Sequence, residues 1–252
     1  DYLLADSHER FPRFPLEQGV PGGLPLLNFP EISMWGMFPW GGFGANPLIR
    51  RFTRLWGEVA HLADGGFPYS EGIFEDLNKA AYAHFYWTGD TDCRAFLEDY
   101  FHFQCGGTEG GQFRHLLDLL ESNHAPSWMT DSIVRKWGKP DGALPLNGYP
   151  GEAVRYPRPQ ADANRAAEAL ALCRRLELSL PEWGRQSWRW RLIALRAQLD
   201  HELLRNGDQP TDACQAAFRE LQDLYAAQNA EAAVAPPLKD VVRIEDSNQC
   251  DV

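Results

Sequence analysis

The chain has 252 residues, enough for one large domain or two smaller ones around a substantial core. Hydrophobic residues make up 44% and charged residues 23%, the balance of a folded chain and not of a disordered one. A net charge of -11 argues against nucleic acid or an anionic membrane surface as the main partner, and no apolar run is long enough to span a bilayer.

Residues 2–6, YLLAD, form a short apolar run that ends in a polar cluster, Asp6-Ser7-His8-Glu9-Arg10. This reads as a strand entered at once from Asp1, so an upstream segment was removed or the chain is the tail of a longer protein. Residues 23–36, GLPLLNFPEISMWG, repeat the plan, with Leu26, Leu27 and Phe29 apolar and Asn28 and Glu31 near the end. Both runs predict buried strands whose polar residues collect at the C-terminal end. From Pro47 a helix is expected, because Leu48, Phe52, Leu55, Trp56, Val59 and Leu62 fall on one face, and Gly65 supplies its stop. GGFPYS follows as a short strand or turn, and Ile73, Phe74, Leu77, Ala80, Ala81, His84 and Phe85 form the next helical stripe. The order strand, strand, helix, strand, helix is that of a parallel α/β fold. Three strands cannot close an eight-stranded barrel, so residues 1–88 are expected to be its C-terminal portion.

From residue 89 to 252 helical periodicity dominates, and a helical bundle is expected. Phe96, Leu97, Tyr100 and Phe101 mark one helix, and Phe113, Leu116, Leu117 and Leu120 a second. A shorter helix is placed at Asp131 to Trp137, a Pro/Gly-rich loop at 138–159, and an Ala-rich helix from residue 161. Ser179-x-x-Glu182 matches a capping box before the stripe Trp188, Leu192, Leu195, Leu199 and Leu203. Cys214, Ala217, Phe218, Leu221, Leu224 and Tyr225 mark the last helix, before a loose tail at 235–252 with a short strand at Val241 to Ile244. The fold class is therefore α/β followed by all-α: the last strand–helix units of a TIM-type barrel and a C-terminal bundle.

Five widely spaced cysteines, Cys93, Cys105, Cys173, Cys214 and Cys250, with no CxxC pair, predict buried free thiols and neither a disulfide framework nor a zinc site. Nine Trp, fourteen Phe and eight Tyr suit a deep core and equally a site where flat rings stack on sugar faces. The polar clusters Asp6/His8/Glu9, Asn28/Glu31 and Tyr69/Glu71 sit at the three predicted strand ends, which converge on one face of a parallel barrel. Paired carboxylates there are what glycoside hydrolysis needs, one to protonate the leaving oxygen and one to attack or to activate water. Glu71 precedes a helix whose dipole favours the ionised form and so suits a nucleophile, while burial of Glu31 would raise its pKa and suit an acid. The plainer readings are a dipole-complementing Glu71, a structural Glu31, and Trp35 and Trp40 as core plugs. Asp6, His8 and Glu9 have no distant third ligand, so no metal is expected. A nucleophilic Ser or Cys has no GxSxG to sit in, and GGFGAN lacks the marks of a phosphate loop.

The stretch PYSEGIFEDLNKAAYAHFYW resembles the Glu-Gly-Ile segment of the α-N-acetylglucosaminidase family of glycoside hydrolases, and LLNFPEISMWGMFPWGG resembles that family's preceding strand. The resemblance covers roughly residues 24 to 88. It implies a (β/α)8 barrel leading into an all-helical domain, and it implies that Glu71 is the nucleophile of a retaining mechanism without a cofactor. The sequence departs from the family in Phe29-Pro30-Glu31, which replaces a Gly-rich follow-on, and in Tyr69-Ser70 before Glu71. The family's general acid lies on an earlier strand, which this chain does not contain. α-Glucuronidases share the plan of a barrel followed by helices. On this reading Glu31 is the second carboxylate, Asp6, His8, Glu9, Asn28, Tyr69 and Asn78 line a carbohydrate pocket, and Trp35 and Trp40 form its walls. The competing class is a non-catalytic carbohydrate-binding or scaffold protein. The sugar, the compartment and the oligomeric state are left open.

Overall fold

The structure, a computed structural model, describes residues 1–7, 11–33, 47–70, 76–123, 161–207 and 211–234. Strand β1 (Leu3–Ser7) leads through a short helix α1 (Arg13–Gln18) to β2 (Leu26–Ser33), then to helix α2 (Ile49–Val59). Two short strands, β3 (Gly65–Gly66) and β4 (Tyr69–Ser70), precede helix α3 (Asp76–Thr88). β2 pairs in parallel with β1 and with β3, so these three lie in chain order, and β4 also pairs in parallel with β2. This is a mixed fold, a small parallel sheet followed by helices, and the helices are the majority.

The two apolar runs do form strands, but they are not buried on both sides. Leu26, Asn28 and Ile32 of β2 are buried, as are Ala5 and Ser7 of β1, while the alternate residues Leu4 and Asp6 are exposed. Period-two alternation thus splits the sheet into a covered face and an open one. The covered face packs on α2 and α3. Of the residues expected on one side of α2, Leu48, Phe52, Leu55, Trp56 and Val59 are buried, whereas Leu62 is half-buried and lies beyond the helix. On α3 Leu77, Ala81 and Phe85 are buried, Ala80 and His84 half-buried, and Ile73 and Phe74 lie outside the described residues. Gly65 does not stop α2: the helix ends at Val59, and Gly65 opens β3. Its neighbour Gly66 must be glycine, because a Cβ there would run into the Asn28 carbonyl and the Tyr86 hydroxyl.

Helices α4 (Arg94–Cys105), α5 (Gly110–Ser122), α6 (Ala163–Ser179), α7 (Glu182–Gln186), α8 (Trp188–Arg205) and α9 (Asp212–Val234) form the rest. The predicted capping box is absent: Ser179 ends α6 with its hydroxyl donating to the Leu176 carbonyl, and Pro181 precedes α7. A Ser in the last helical turn finds an acceptor behind it before it can reach forward. Asp162 does cap α6, accepting from the Arg165 amide at 2.8 Å. The Asp162 amide in turn donates to Asn123 Oδ1 at 3.0 Å, so the end of α5 meets the start of α6. The expected helix at 131–137, the loop at 138–159, the strand at 241–244 and the tail at 235–252 lie outside the described residues.

The core does not break at residue 88. One cluster of buried residues runs from Ala5 to Ala197, through the stacked pairs Trp56–Phe85 and Phe101–Phe113. A polar joint reinforces it. No side chain of α2's own leading residue caps the helix, and its first amides are met from elsewhere. Asn78 Oδ1 accepts from the Leu48 amide at 3.0 Å, and the two oxygens of Glu121, at the end of α5, accept from the Arg50 and Arg51 amides at 2.9 Å each. An anion at a helix N-terminus meets both unsatisfied amides and dipole there. Removing it by Glu121→Ala is expected to cost about 1–3 kcal/mol in a urea titration. Burial raises the Glu121 pKa against these bonds, so the folded state holds the proton to higher pH than the unfolded chain. The contribution of this group to stability therefore falls as pH rises from the unfolded value through the folded one, and Glu121→Gln should remove that slope.

The four described cysteines are buried and free. Burial is the main cause that pushes Cys105 and Cys173 up to about 12 and Cys214 up to about 11, and it raises Cys93 as well. In a Cys250→Ser background a thiolate-selective reagent should find no thiol at neutral pH and all four after denaturation. A thiol that reacts in the native state would contradict this burial.

Candidate functional site

The sheet's open face gathers one set of expected residues. Backbone register sets Asp6 beside Phe29, and Glu31 beside Tyr69. Positions 4 and 6 of β1, 27, 29 and 31 of β2 and 69 of β4 therefore share one face. Three aromatic rings meet on it: Phe29 lies 5.0 Å from Phe67 and 5.7 Å from Tyr69, centroid to centroid. Phe67 is 45% exposed, Tyr69 38% and Leu4 60%, an unusual amount of apolar surface on a parallel sheet, whose faces are normally both covered. Phe29 and Phe67 were not among the expected site residues; period-two counting along β2 from buried Leu26 and Ile32 puts Phe29 on the open face, and no local signal marks Phe67.

Asn28 and Asn78 belong to the interior. Asn28 is on the covered face, where its Nδ2 donates to Ser7 Oγ at 3.1 Å and its Oδ1 accepts from the Tyr86 hydroxyl at 3.0 Å. This relay ties β1, β2 and α3 together and fixes their register, since a one-residue slip would break both bonds. Asn78 is 1% exposed and holds the start of α2. Neither amide is turned to the open face, so neither lines it. Burial raises the Tyr86 pKa well above the ordinary range, and its hydroxyl stays a neutral donor.

His8, Glu9, Trp35, Trp40 and Glu71 lie outside the described residues, as does the side chain of Glu31. The described chain stops at Ser70 in β4 and resumes at Asp76 in α3. Among the described residues no group of three or more His, Cys, Asp and Glu is placed to hold a metal ion, and no helix is long and apolar enough to cross a membrane.

The first turn of α3 holds a second polar cluster that the sequence did not announce. Asp76 Oδ2 accepts from the Tyr100 hydroxyl at 2.8 Å and from Arg189 Nε at 2.7 Å, and Oδ1 accepts from Arg189 Nη2 at 3.2 Å. The Arg189 guanidinium also lies 4.2 Å above the Trp188 ring. Fork-like pairing of this kind is among the stronger charge-assisted contacts.

No family model, curated protein or solved structure matches the chain.

Proposed function

We propose that the chain is the C-terminal part of a glycoside-hydrolase-type barrel with the helical region that supports it, acting on a carbohydrate through carboxylate chemistry. One observation carries this reading: the parallel strands β1, β2 and β3 in chain order, with helices on one face and an open, aromatic-lined face on the other. That is how a segment of a parallel barrel is layered, with helices outside and the second face turned inward. Asp6 and Tyr69 in register rows with Phe29 and Glu31 add polar and aromatic groups at the strands' C-terminal ends, where barrel enzymes build their sites. In the reaction, Glu71 would attack the anomeric carbon, and a carboxylic acid would protonate the departing oxygen. Glu31 is the candidate acid in this chain. Exposed Tyr69 and Phe67 supply flat faces for a sugar ring, and the chemistry requires no cofactor.

The same aromatic face favours the second reading, a carbohydrate-binding protein without turnover. Incubating the full-length protein with aryl α-N-acetylglucosaminide and aryl α-glucuronide, and measuring both release of the aryl group and binding of the sugar, separates the two. Turnover supports the hydrolase, and saturable binding without release supports the binding protein.

A further inference from the structure

From the way α9 is held we propose that it is a strap: it opens from α8 as one unit while the rest of the chain stays folded. Opening bares an apolar face of α8 that fits an amphipathic helix, and the resident occupant of that face is α9 itself. Such opening stands apart from the hydrolase reading and does not depend on it.

Helix α8 is apolar on two opposite sides. Trp190, Ile193, Ala194 and Ala197 join the buried cluster that runs through the sheet and the other helices. Leu192, Leu195, Leu199 and Leu203 fall on the other side of the helix, and each is 3% exposed or less, yet none of them belongs to that cluster. Cys214, Ala217 and Leu221, buried on one stripe of α9, stand outside it as well. Helix α9 packs on α8, and three polar links set the pairing. Thr211 Oγ1 donates to Glu202 Oε2 at 3.0 Å, and Gln198 Nε2 donates to the Ala213 carbonyl at 3.5 Å. Arg191 Nε and Nη2 donate to the two oxygens of Glu220 at 2.7 and 2.9 Å. Rising numbers on α9 meet falling numbers on α8, so the two helices are antiparallel, and Arg191, Gln198 and Glu202 share a stripe with Leu195. All three links end on α8. The Arg191–Glu220 pair is 27% and 41% exposed at its side chains, and pairs of that exposure add little to stability. Releasing Glu220 does not strand the guanidinium, because Arg191 Nη1 also donates to Glu177 of α6 at 3.4 Å. Folded chains open in contiguous units whose members are tied to one another more than to the rest. A helix that stands outside the main cluster and is bonded to one neighbour meets that description.

Cys214 reports the opening, because Cys93, Cys105 and Cys173 belong to the main cluster and Cys214 does not. In the full-length Cys250→Ser protein, alkylation of each thiol is followed at urea concentrations below the global transition seen by circular dichroism. Each rate is divided by the rate of the same thiol in the unfolded chain. Without urea all four thiols stay protected over the assay. At sub-denaturing urea Cys214 is expected to react at least about 10-fold faster than the other three, at a rate that climbs with urea because a whole helix face is exposed. Ile193→Val, on the side of α8 turned to the main cluster, should speed the other three about 2- to 10-fold and leave Cys214 unchanged, since Ile193 stays packed when only α9 lifts. Cys214 reacting no faster than the others, or speeding with them in Ile193→Val, overturns the strap. A Cys214 rate that ignores urea overturns it too, since it reports a local fluctuation of the thiol and not release of the helix.

Discussion

Asp200→Ala should cost roughly 3–5 kcal/mol of folding stability and lower Tm by roughly 10 °C. Arg196 and Asp200 stand one turn apart on α8, with side chains 1% and 0% exposed and Nε donating to Oδ2 at 3.1 Å. Removing the carboxylate leaves a guanidinium buried beside an empty space, and the full desolvation cost of that charge appears in the folded state alone. The paired replacement Arg196→Met with Asp200→Leu removes both charges and fills the volume, so it should lie within about 1 kcal/mol of the wild type. A chemical denaturation series on the single and double variants checks this, and a single-variant cost below about 1 kcal/mol would show that the charge is not buried as described.

Much of the architecture can be read from local periodicity. The α2 face follows from spacing alone, because a single period recurs over a dozen residues, and the two strands follow from short apolar runs closed by polar residues. Elements held by one or two bonds are harder to read. Helix α1 buries none of its residues, so no apolar stripe announces it. Ser179-x-x-Glu182 has the letters of a capping box, but the hydroxyl is captured by the Leu176 carbonyl behind it. Gly65 looks like a helix stop because the sequence does not say that the chain has already turned at Leu62 and entered the sheet. Continuous apolar runs look buried on both faces, whereas Leu4 stands open on one.

The site is legible to the extent that it depends on strand order, and illegible where it depends on distant pairing. Asp6, Glu31 and Tyr69 could be assigned to strand ends because those ends are marked by the switch from apolar to polar residues, and the register brings their positions onto one face. Asn28 and Asn78 look the same in sequence as pocket amides, yet each meets an interior partner 21 or 30 residues away. The Asp76–Arg189 contact spans 113 residues and has no local signature at all.

Replacement of the carboxylate assigned as nucleophile should have the largest effect on function. Glu71→Gln keeps the volume and a hydrogen-bonding side chain but cannot form a glycosyl–enzyme bond, so its turnover should fall about 10³-fold or more. If Glu71 serves only the dipole of α3, the same substitution costs no more than about 1 kcal/mol of stability and leaves turnover intact. The two roles thus differ by orders of magnitude in one readout. The decisive measurement is the rate of aryl glycoside hydrolysis by the full-length protein and its Glu71→Gln variant, side by side, on α-N-acetylglucosaminide and α-glucuronide substrates. Turnover by the wild type that collapses in the variant, with sugar binding retained, is the predicted result; equal turnover in both proteins would contradict the assignment of Glu71 as the nucleophile.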